Sequence, residues 1–132
     1  MFNHLVKLAA AGAVALAPGA APPQDLPAKP ATCIVPHTPG GITDTRSRLI
    51  ADEFGKALGQ TVVVENKPGA GGTLGLEYVA RADADGYTII YGTLGTLAAA
   101  PSLYENLRYD SLADFEPVHM MGSSPNTVIA YK

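Results

Sequence analysis

Three short loops rich in glycine, proline or threonine are the parts of this 132-residue sequence best suited to chemistry. The first, PHTPGG at 36–41, is followed three residues later by Asp44. The second is KPGAGG at 67–72, and the third is TLGTLAA at 93–99. Glycine before a helix lets backbone N–H groups face a ligand, and the helix N-terminus adds a partial positive charge. Such loops can hold an anion without lysine or arginine.

The motifs around the glycine pairs indicate which anion is expected. Neither Gly40-Gly41 nor Gly71-Gly72 lies in the phosphate loop G-x-x-x-x-G-K-[ST] or in the dinucleotide fingerprint G-x-G-x-x-G. A carboxylate is therefore a more natural ligand than a nucleotide. Either glycine pair taken alone is equally compatible with an ordinary turn.

Three polar residues beside these loops have both a structural and a functional interpretation. Asp44 would stabilise the dipole of a helix that begins near it by about 0.3–1 kcal/mol, or would accept hydrogen bonds from a ligand or an ordered water. Thr93 and Thr96 flank Gly95, where their hydroxyls would bind a carboxylate oxygen or would simply form a turn.

The remaining reactive side chains do not form a catalytic or metal-binding pattern. His37 accompanies no nucleophile motif, so we expect a surface histidine, and an enzyme using His37 and Asp44 is the weaker alternative. His4, His37 and His119 are too scattered to predict a metal site, and no cofactor is expected. Cys33 is the single cysteine, in an apolar run typical of a buried structural thiol.

The first two predicted strands flank a helix. TCIVP at 32–36 predicts a strand, and QTVVVEN at 60–66 predicts a second one, buried on both faces. Between them, residues 43–58 predict a helix capped by Thr43 or Asp44 and stopped by Gly59. Its apolar residues recur at helical spacing and are Leu49, Ile50, Phe54, Ala57 and Leu58.

The rest of the chain continues the alternation. Residues 73–82 predict a second helix, and YTIIYG at 87–92 predicts a third strand, followed by a loop of small residues and, after Pro101, a short helix with a connection. NTVIAYK at 126–132 begins a fourth strand. This order predicts an α/β fold with a parallel sheet and helices on both faces. In such sheets ligands bind beyond the carboxyl ends of the strands, where the three loops fall.

The N-terminal residues suggest export. Residues 1–20 carry Lys7 and an apolar core at 8–16, which is typical of a secretory signal peptide. A proline-rich spacer follows at 21–31, and 32–132 form the expected α/β unit. The alternative is an apolar N-terminus of a cytoplasmic protein. A net charge of −3 argues against nucleic acid, and no apolar run is long enough to insert in a membrane after processing.

Taken together, the loops resemble a known family. The sequence contains V-P-x-x-P-G-G-x-x-D, then L-G-Q-x-V-V-V-E-N-x-P-G-A-G-G, A-x-A-D-G-Y-T and G-T-x-G-T-x-A-x-x-P-S-L-Y in that order. It thereby resembles the Bug-type receptors, the periplasmic solute-binding proteins of tripartite tricarboxylate transporters. The resemblance implies a type II periplasmic-binding-protein (Venus-flytrap) fold that closes on a small carboxylate and delivers it to a membrane permease.

The resemblance also implies a site. The residues at positions that hold the ligand carboxylate in this family are Thr38, Pro39, Gly40, Gly41, Asp44, Thr93 and Thr96. Gly71 and Gly72 of the second loop are secondary candidates. Thr38 and His37 depart from the usual proline and aromatic residue, and Leu94 replaces a small, often hydroxylic one.

The length of the chain is the largest departure. Family members are far longer, so we expect a truncated lobe, with nearly all of the second lobe missing. A fragment of a receptor, a non-functional remnant and an interaction module of the same ancestry are the corresponding alternatives.

Overall fold

The computed structural model describes residues 29–123. The expected signal peptide, most of the spacer and the predicted fourth strand therefore lie outside the described residues. No helix in the described part is both long and apolar enough to cross a bilayer.

Strands and helices alternate as predicted. In chain order the elements are β1 (Ala31–Val35), α1 (Ile42–Leu58), β2 (Val62–Asn66), a 3₁₀ turn (Ala70–Gly72), α2 (Thr73–Ala80), β3 (Thr88–Ile90), a π-helical segment (Gly95–Ala99) and α3 (Ala100–Leu103). The stop of α1 at Gly59 is confirmed, because Gly59 adopts the left-handed conformation with φ 66° and its N–H bonds back into the helix.

The described sheet has three parallel strands in the order β2-β1-β3. Cys33 lies opposite Val64 on one side and Ile89 on the other. Helix α1 packs against β1 and β2, whereas α2 packs against β1 and β3. Since successive crossovers run in opposite directions along the sheet, right-handed connections place the two helices on opposite faces. The parallel α/β fold predicted from the sequence is confirmed.

The buried face of α1 differs from the expected one. Leu49 is 67% exposed and Ile50 is also exposed, whereas Asp44, Ser47 and Ala51 are buried. The small Ser47 and Ala51 side chains face the sheet and allow a close approach. Of the other stripe residues Ala57 is exposed, whereas Phe54 and Leu58 are partly buried, so the apolar stripe identified the packed face only in part.

Strand β2 also differs from the prediction of a strand buried on both faces. It forms an edge of the described sheet, and its residues alternate between partly buried and exposed, with Val63 45% exposed. Val62 packs near Gly55 of α1 on the covered face. The run of valines is therefore shielded by one helix on one face.

The third loop is helical. Residues 95–99 form a π-helical segment that continues into α3, where an irregular loop of small residues was expected. The prediction of a buried thiol is confirmed, because Cys33 is buried in the central strand and its burial raises the pKa of the thiol. Ile34, Val35 and Leu76 have no exposed surface and form the centre of the core.

Candidate functional site

The three glycine-rich loops meet at Gly72. A Cβ placed on Gly72 would lie 2.7 Å from Thr96 Cγ2 in the third loop, 3.2 Å from the Pro36 carbonyl oxygen and 3.5 Å from His37 Nε2 in the first loop. Gly72 itself has φ 98°, a conformation that favours glycine. Loops that are separated in sequence by more than twenty residues thus share one junction at the carboxyl edge of the sheet. We refer to this meeting point of Pro36, His37, Gly72 and Thr96 as the loop junction.

The N-terminus of α1 carries unused backbone donors. Gly41 is its N-cap, with φ −72° and ψ 170°, and no side chain caps the helix. The first hydrogen bond inside the helix runs from the Thr45 N–H to the Gly41 carbonyl at 2.9 Å. The N–H groups of Ile42 and Thr43 precede that bond and have no partner within the helix. They carry the partial positive charge of a 17-residue helix.

The third loop is locked by two threonines. The Thr93 N–H donates to Thr96 Oγ1 at 3.0 Å, and the Thr96 N–H donates to Thr93 Oγ1 at 3.2 Å. The Tyr109 hydroxyl donates to the Thr96 carbonyl at 2.5 Å. Because Thr96 is completely buried, its hydroxyl acts within the loop, and the partly buried Thr93 is the threonine with accessible surface.

In the second loop, hydrogen-bond donors are paired with carbonyl groups of the same loop. The Gly72 N–H donates to the Gly69 carbonyl at 2.8 Å, and the Thr73 hydroxyl donates to the Ala70 carbonyl at 2.9 Å. A Cβ on Gly75 would lie 2.7 Å from Pro36 Cβ, so α2 is seated directly against the end of β1. This loop therefore shapes the junction.

Asp44 is buried, and hydrogen-bond donors of the protein occupy the acceptor positions of its carboxylate. Oδ2 accepts from the Gly40 N–H at 2.8 Å and from Arg48 Nε at 3.1 Å. Oδ1 accepts from Asn66 Nδ2 at 2.9 Å and lies 3.0 Å from Arg48 Nη2. Four contacts match the capacity of a carboxylate. These contacts hold the first loop in place. The expected cap by Thr43 or Asp44 is wrong, because the N-cap of α1 is Gly41 and no side chain caps the helix.

These contacts also set the ionisation of Asp44. The hydrogen bond from Arg48, followed by those from the Gly40 backbone and Asn66, lowers the pKa of Asp44 from 3.8 to about 2. Asp44 is consequently an anion whose charge is matched by Arg48. Neither residue supplies a free charge at the junction.

His37, expected at the surface, is only partly exposed. Its ring lies at the loop junction, and its Nδ1 atom is closed off from solvent without a hydrogen-bond partner among residues 29–123. Asp44 takes its partners from Gly40, Arg48 and Asn66, so the acid–base pair of the enzyme alternative is not formed here.

The nine predicted residues fall into two groups. Those with accessible surface are Thr38, Pro39, Gly40, Gly41, Gly71 and Thr93, and those that are buried are Asp44, Gly72 and Thr96. Sequence reasoning missed Asn66 and Arg48. The E-N-x-P-G-A-G-G motif does contain Asn66, but only its bonds to Asp44 and to the His37 carbonyl reveal what it holds.

Other features of the surface do not extend the site. Within the described part of the chain, no group of three or more His, Cys, Asp or Glu side chains is placed to hold a metal ion. A groove of about 780 Å³ lies between α2 and residues 104–108, and its lining contains none of the nine predicted residues. Glu77 in this groove is paired with Arg81 and Arg108.

Comparison with known proteins places this chain in a family. The model of the tripartite tricarboxylate transporter family receptor matches residues 47–132, which is more than half of the chain. The protein BugT of Bordetella pertussis is 41% identical over 104 residues, covering 78% of this chain and 32% of that protein.

Solved structures share both fold and sequence. MatC from Rhodopseudomonas palustris with bound malate is 49% identical with a TM-score of 0.67, covering 70% of this chain and 31% of that one. Rpa4515 of R. palustris with adipate is 41% identical with a TM-score of 0.64, covering 67% of this chain and 29% of that one. The chain therefore spans about a third of the length of the relatives it matches.

Proposed function

Because this chain belongs to the tripartite tricarboxylate transporter receptor family, we propose that it is a periplasmic solute-binding receptor, or a part of one, that captures a small carboxylate. The observation that carries the proposal is the uncapped N-terminus of α1 beside the loop junction. Free N–H groups at a helix N-terminus bind carboxylates without a cationic side chain. Arg48, which lies further along the same helix, is already engaged by Asp44.

Each predicted residue takes a specific part in this proposal. Gly40 and Gly41 bring the backbone close to the ligand, while Thr38 and Pro39 border it from the same loop. Thr93 offers an accessible hydroxyl. Asp44 and Thr96 hold their loops in place from beneath, and Gly71 and Gly72 give the second loop the shape that closes the junction.

The relatives support the ligand class. One structural neighbour holds malate and another holds adipate, and both are dicarboxylates. The family is one of binding receptors. In our proposal one carboxylate of such an acid binds at the α1 N-terminus. The acid is then passed to the permease of a tripartite transporter.

Calorimetric titration of the full chain with malate and with adipate tests this proposal. Dimethyl adipate serves as the matched control, because it keeps the carbon skeleton and removes both carboxylates. We expect heat with at least one acid and none with the ester. A protein whose circular dichroism shows a folded α/β structure and which gives no heat with either acid would contradict the proposal for this chain.

A further inference from the structure

The register of the π-helical segment diverts the donor that the Thr96 carbonyl would use in an α-helix. That donor would be the Ala100 N–H, four residues further along the chain. Here the Ala100 N–H donates instead to the Gly95 carbonyl, five residues back. The residue after Ala100 is Pro101, which carries no N–H. Because Thr96 is completely buried, its carbonyl needs a donor from elsewhere in the fold.

The Tyr109 hydroxyl supplies this donor from beyond α3. It donates to the Thr96 carbonyl at 2.5 Å, which is at the short end of the range for hydroxyl donors. Tyr109 is itself buried, and its ring meets Phe115 edge to face with 5.9 Å between the ring centroids. Burial raises the pKa of Tyr109 above its ordinary value of 10.0, so the hydroxyl keeps its proton at neutral pH.

A compact turn directly after Tyr109 fixes the backbone from which this side chain extends. Asp110 Oδ1 accepts from the Leu112 N–H at 2.8 Å and from the Ala113 N–H at 3.1 Å. The Asp110 N–H donates to Asp114 Oδ2 at 2.7 Å, and the Asp114 N–H donates to the Asp110 carbonyl at 3.1 Å. Tyr109 is therefore held both by its ring and by the adjoining turn.

Thr96 connects Tyr109 to Thr93, the threonine with accessible surface. The Thr93 N–H donates to Thr96 Oγ1 at 3.0 Å, and the Thr96 N–H donates to Thr93 Oγ1 at 3.2 Å. When the Thr96 hydroxyl donates to the Thr93 carbonyl, also at 3.2 Å, the Thr93 hydroxyl keeps its own proton for another acceptor. The orientation of the Thr93 hydroxyl thus depends on where Thr96 is held.

We propose that Tyr109 is a positioning residue of the carboxylate site, whose hydroxyl holds the Thr96 carbonyl and thereby orients the Thr93 hydroxyl towards the bound acid. This inference rests on the proposed function, in which Thr93 offers that hydroxyl. Tyr109 does not contact the ligand in this arrangement and acts only through the paired threonines.

Tyr109→Phe removes the hydroxyl and keeps the ring that meets Phe115. With malate or adipate as the probe, we expect this variant to bind at least ~10-fold more weakly in calorimetric titration. Tyr78→Phe is the matched control, because Tyr78 lines the groove that lies outside the predicted site. It should stay within about threefold of the original affinity. Affinity retained by Tyr109→Phe, or an equal loss in both variants, would overturn the inference.

A double-mutant cycle separates positioning from a general loss of stability. In a Thr93→Val background, the hydroxyl that Tyr109 is proposed to orient is already absent. We expect Tyr109→Phe to weaken binding there by less than about threefold, against ~10-fold in the original chain. An equal loss in both backgrounds would overturn the inference, because Tyr109 would then influence binding without Thr93.

Amide hydrogen exchange gives a readout that does not depend on a ligand. The Thr93 amide is protected by its bond to Thr96 Oγ1, so we expect Tyr109→Phe to speed its exchange at least ~10-fold. The amides of the central strand β1 are the internal control and should exchange as before. Unchanged exchange at Thr93 in a chain that binds the acid would overturn the inference alone. A folded unsubstituted chain that binds neither acid would overturn the proposed function and this inference with it.

Discussion

The side-chain amide of Asn66 joins the end of β2 to Asp44 at the start of α1, with Nδ2 2.9 Å from the carboxylate. The same nitrogen lies 3.0 Å from the His37 carbonyl, and Asn66 Oδ1 accepts from Arg48 Nη2 at 3.0 Å. Asn66, at the end of a strand, thus connects the first loop and the first turn of α1 to Arg48. These bonds fix the loop that we propose for ligand binding.

Replacing Asn66 should loosen that loop. Asn66→Ala removes its bonds to Asp44, His37 and Arg48 at once, and the buried acceptors left behind lose a partner. We expect a loss of about 1–3 kcal/mol in the free energy of unfolding, measured by urea denaturation. Glu65→Ala, at the exposed neighbouring position, is the control and should change stability little. Equal stability of the two variants would contradict the role assigned to Asn66.

The ionisation of Asp44 predicts how stability depends on pH. Its pKa is about 2 in the folded protein, below the ordinary 3.8. A lowered folded-state pKa means that the carboxylate stabilises the fold above pH 3.8, and that this contribution is lost as the pH falls through about 2. Asp44→Asn should therefore be less stable than the original chain at neutral pH, with a lower Tm.

The gap in Tm between these two proteins is the diagnostic quantity. It should narrow as the pH falls from 3.8 towards 2, because only the original chain loses a charge at position 44. Asp85 and Asp110 also have a lowered pKa, but both are present in each protein and their effects cancel. A gap that stays constant through this interval would refute the prediction.

The N-cap of α1 has no capping side chain, which allows a direct test of the anion site. Gly41 has the extended backbone of an N-cap, so Gly41→Asp supplies a side chain that can accept from the free N–H groups. The substituted carboxylate would then compete with the ligand. We expect at least ~10-fold weaker binding of malate or adipate, measured by calorimetry, without loss of thermal stability.

Gly41→Ala is the matched control for this test. Either substitution brings a Cβ to 3.4 Å from the Thr38 carbonyl oxygen, but alanine adds no acceptor. We expect Gly41→Ala to keep most of the affinity and to be about 1 kcal/mol less stable than Gly41→Asp. Equal affinity in the two variants would show that the ligand does not use these N–H groups.

The loop junction can be tested through two glycines with similar backbones. Gly72 and Gly86 have φ of 98° and 79°, but a Cβ on Gly86 meets nothing within 4 Å. Each alanine variant should lose about 1–2 kcal/mol through backbone strain. We expect only Gly72→Ala to weaken binding of the acid, by roughly 10-fold, because its Cβ displaces Thr96 and the Pro36 carbonyl. The same loss in both variants would mean that strain alone is responsible.

Much of the local structure was accessible from the sequence. The end of α1 follows from Gly59, because glycine adopts the left-handed conformation at a helix end with little energetic cost. The strand–loop–helix order follows from short apolar runs broken by glycine and proline. The helical state of residues 95–100 was missed because small residues without an apolar stripe give no periodic signal. Its Thr93–Thr96 bonds form only once the segment is helical.

The sequence by itself determined the order of elements and brought the glycine-rich loops to one edge of a parallel sheet, because these depend on neighbours within a few residues and on crossover handedness. Only the tertiary structure decided that α1 packs through Ser47 and Ala51. It also decided that Asn66 and Arg48 bind the Asp44 carboxylate, and that His37 lies at the loop junction. Burial and hydrogen bonding depend on which element lies opposite a residue. For these residues that partner lies far along the chain.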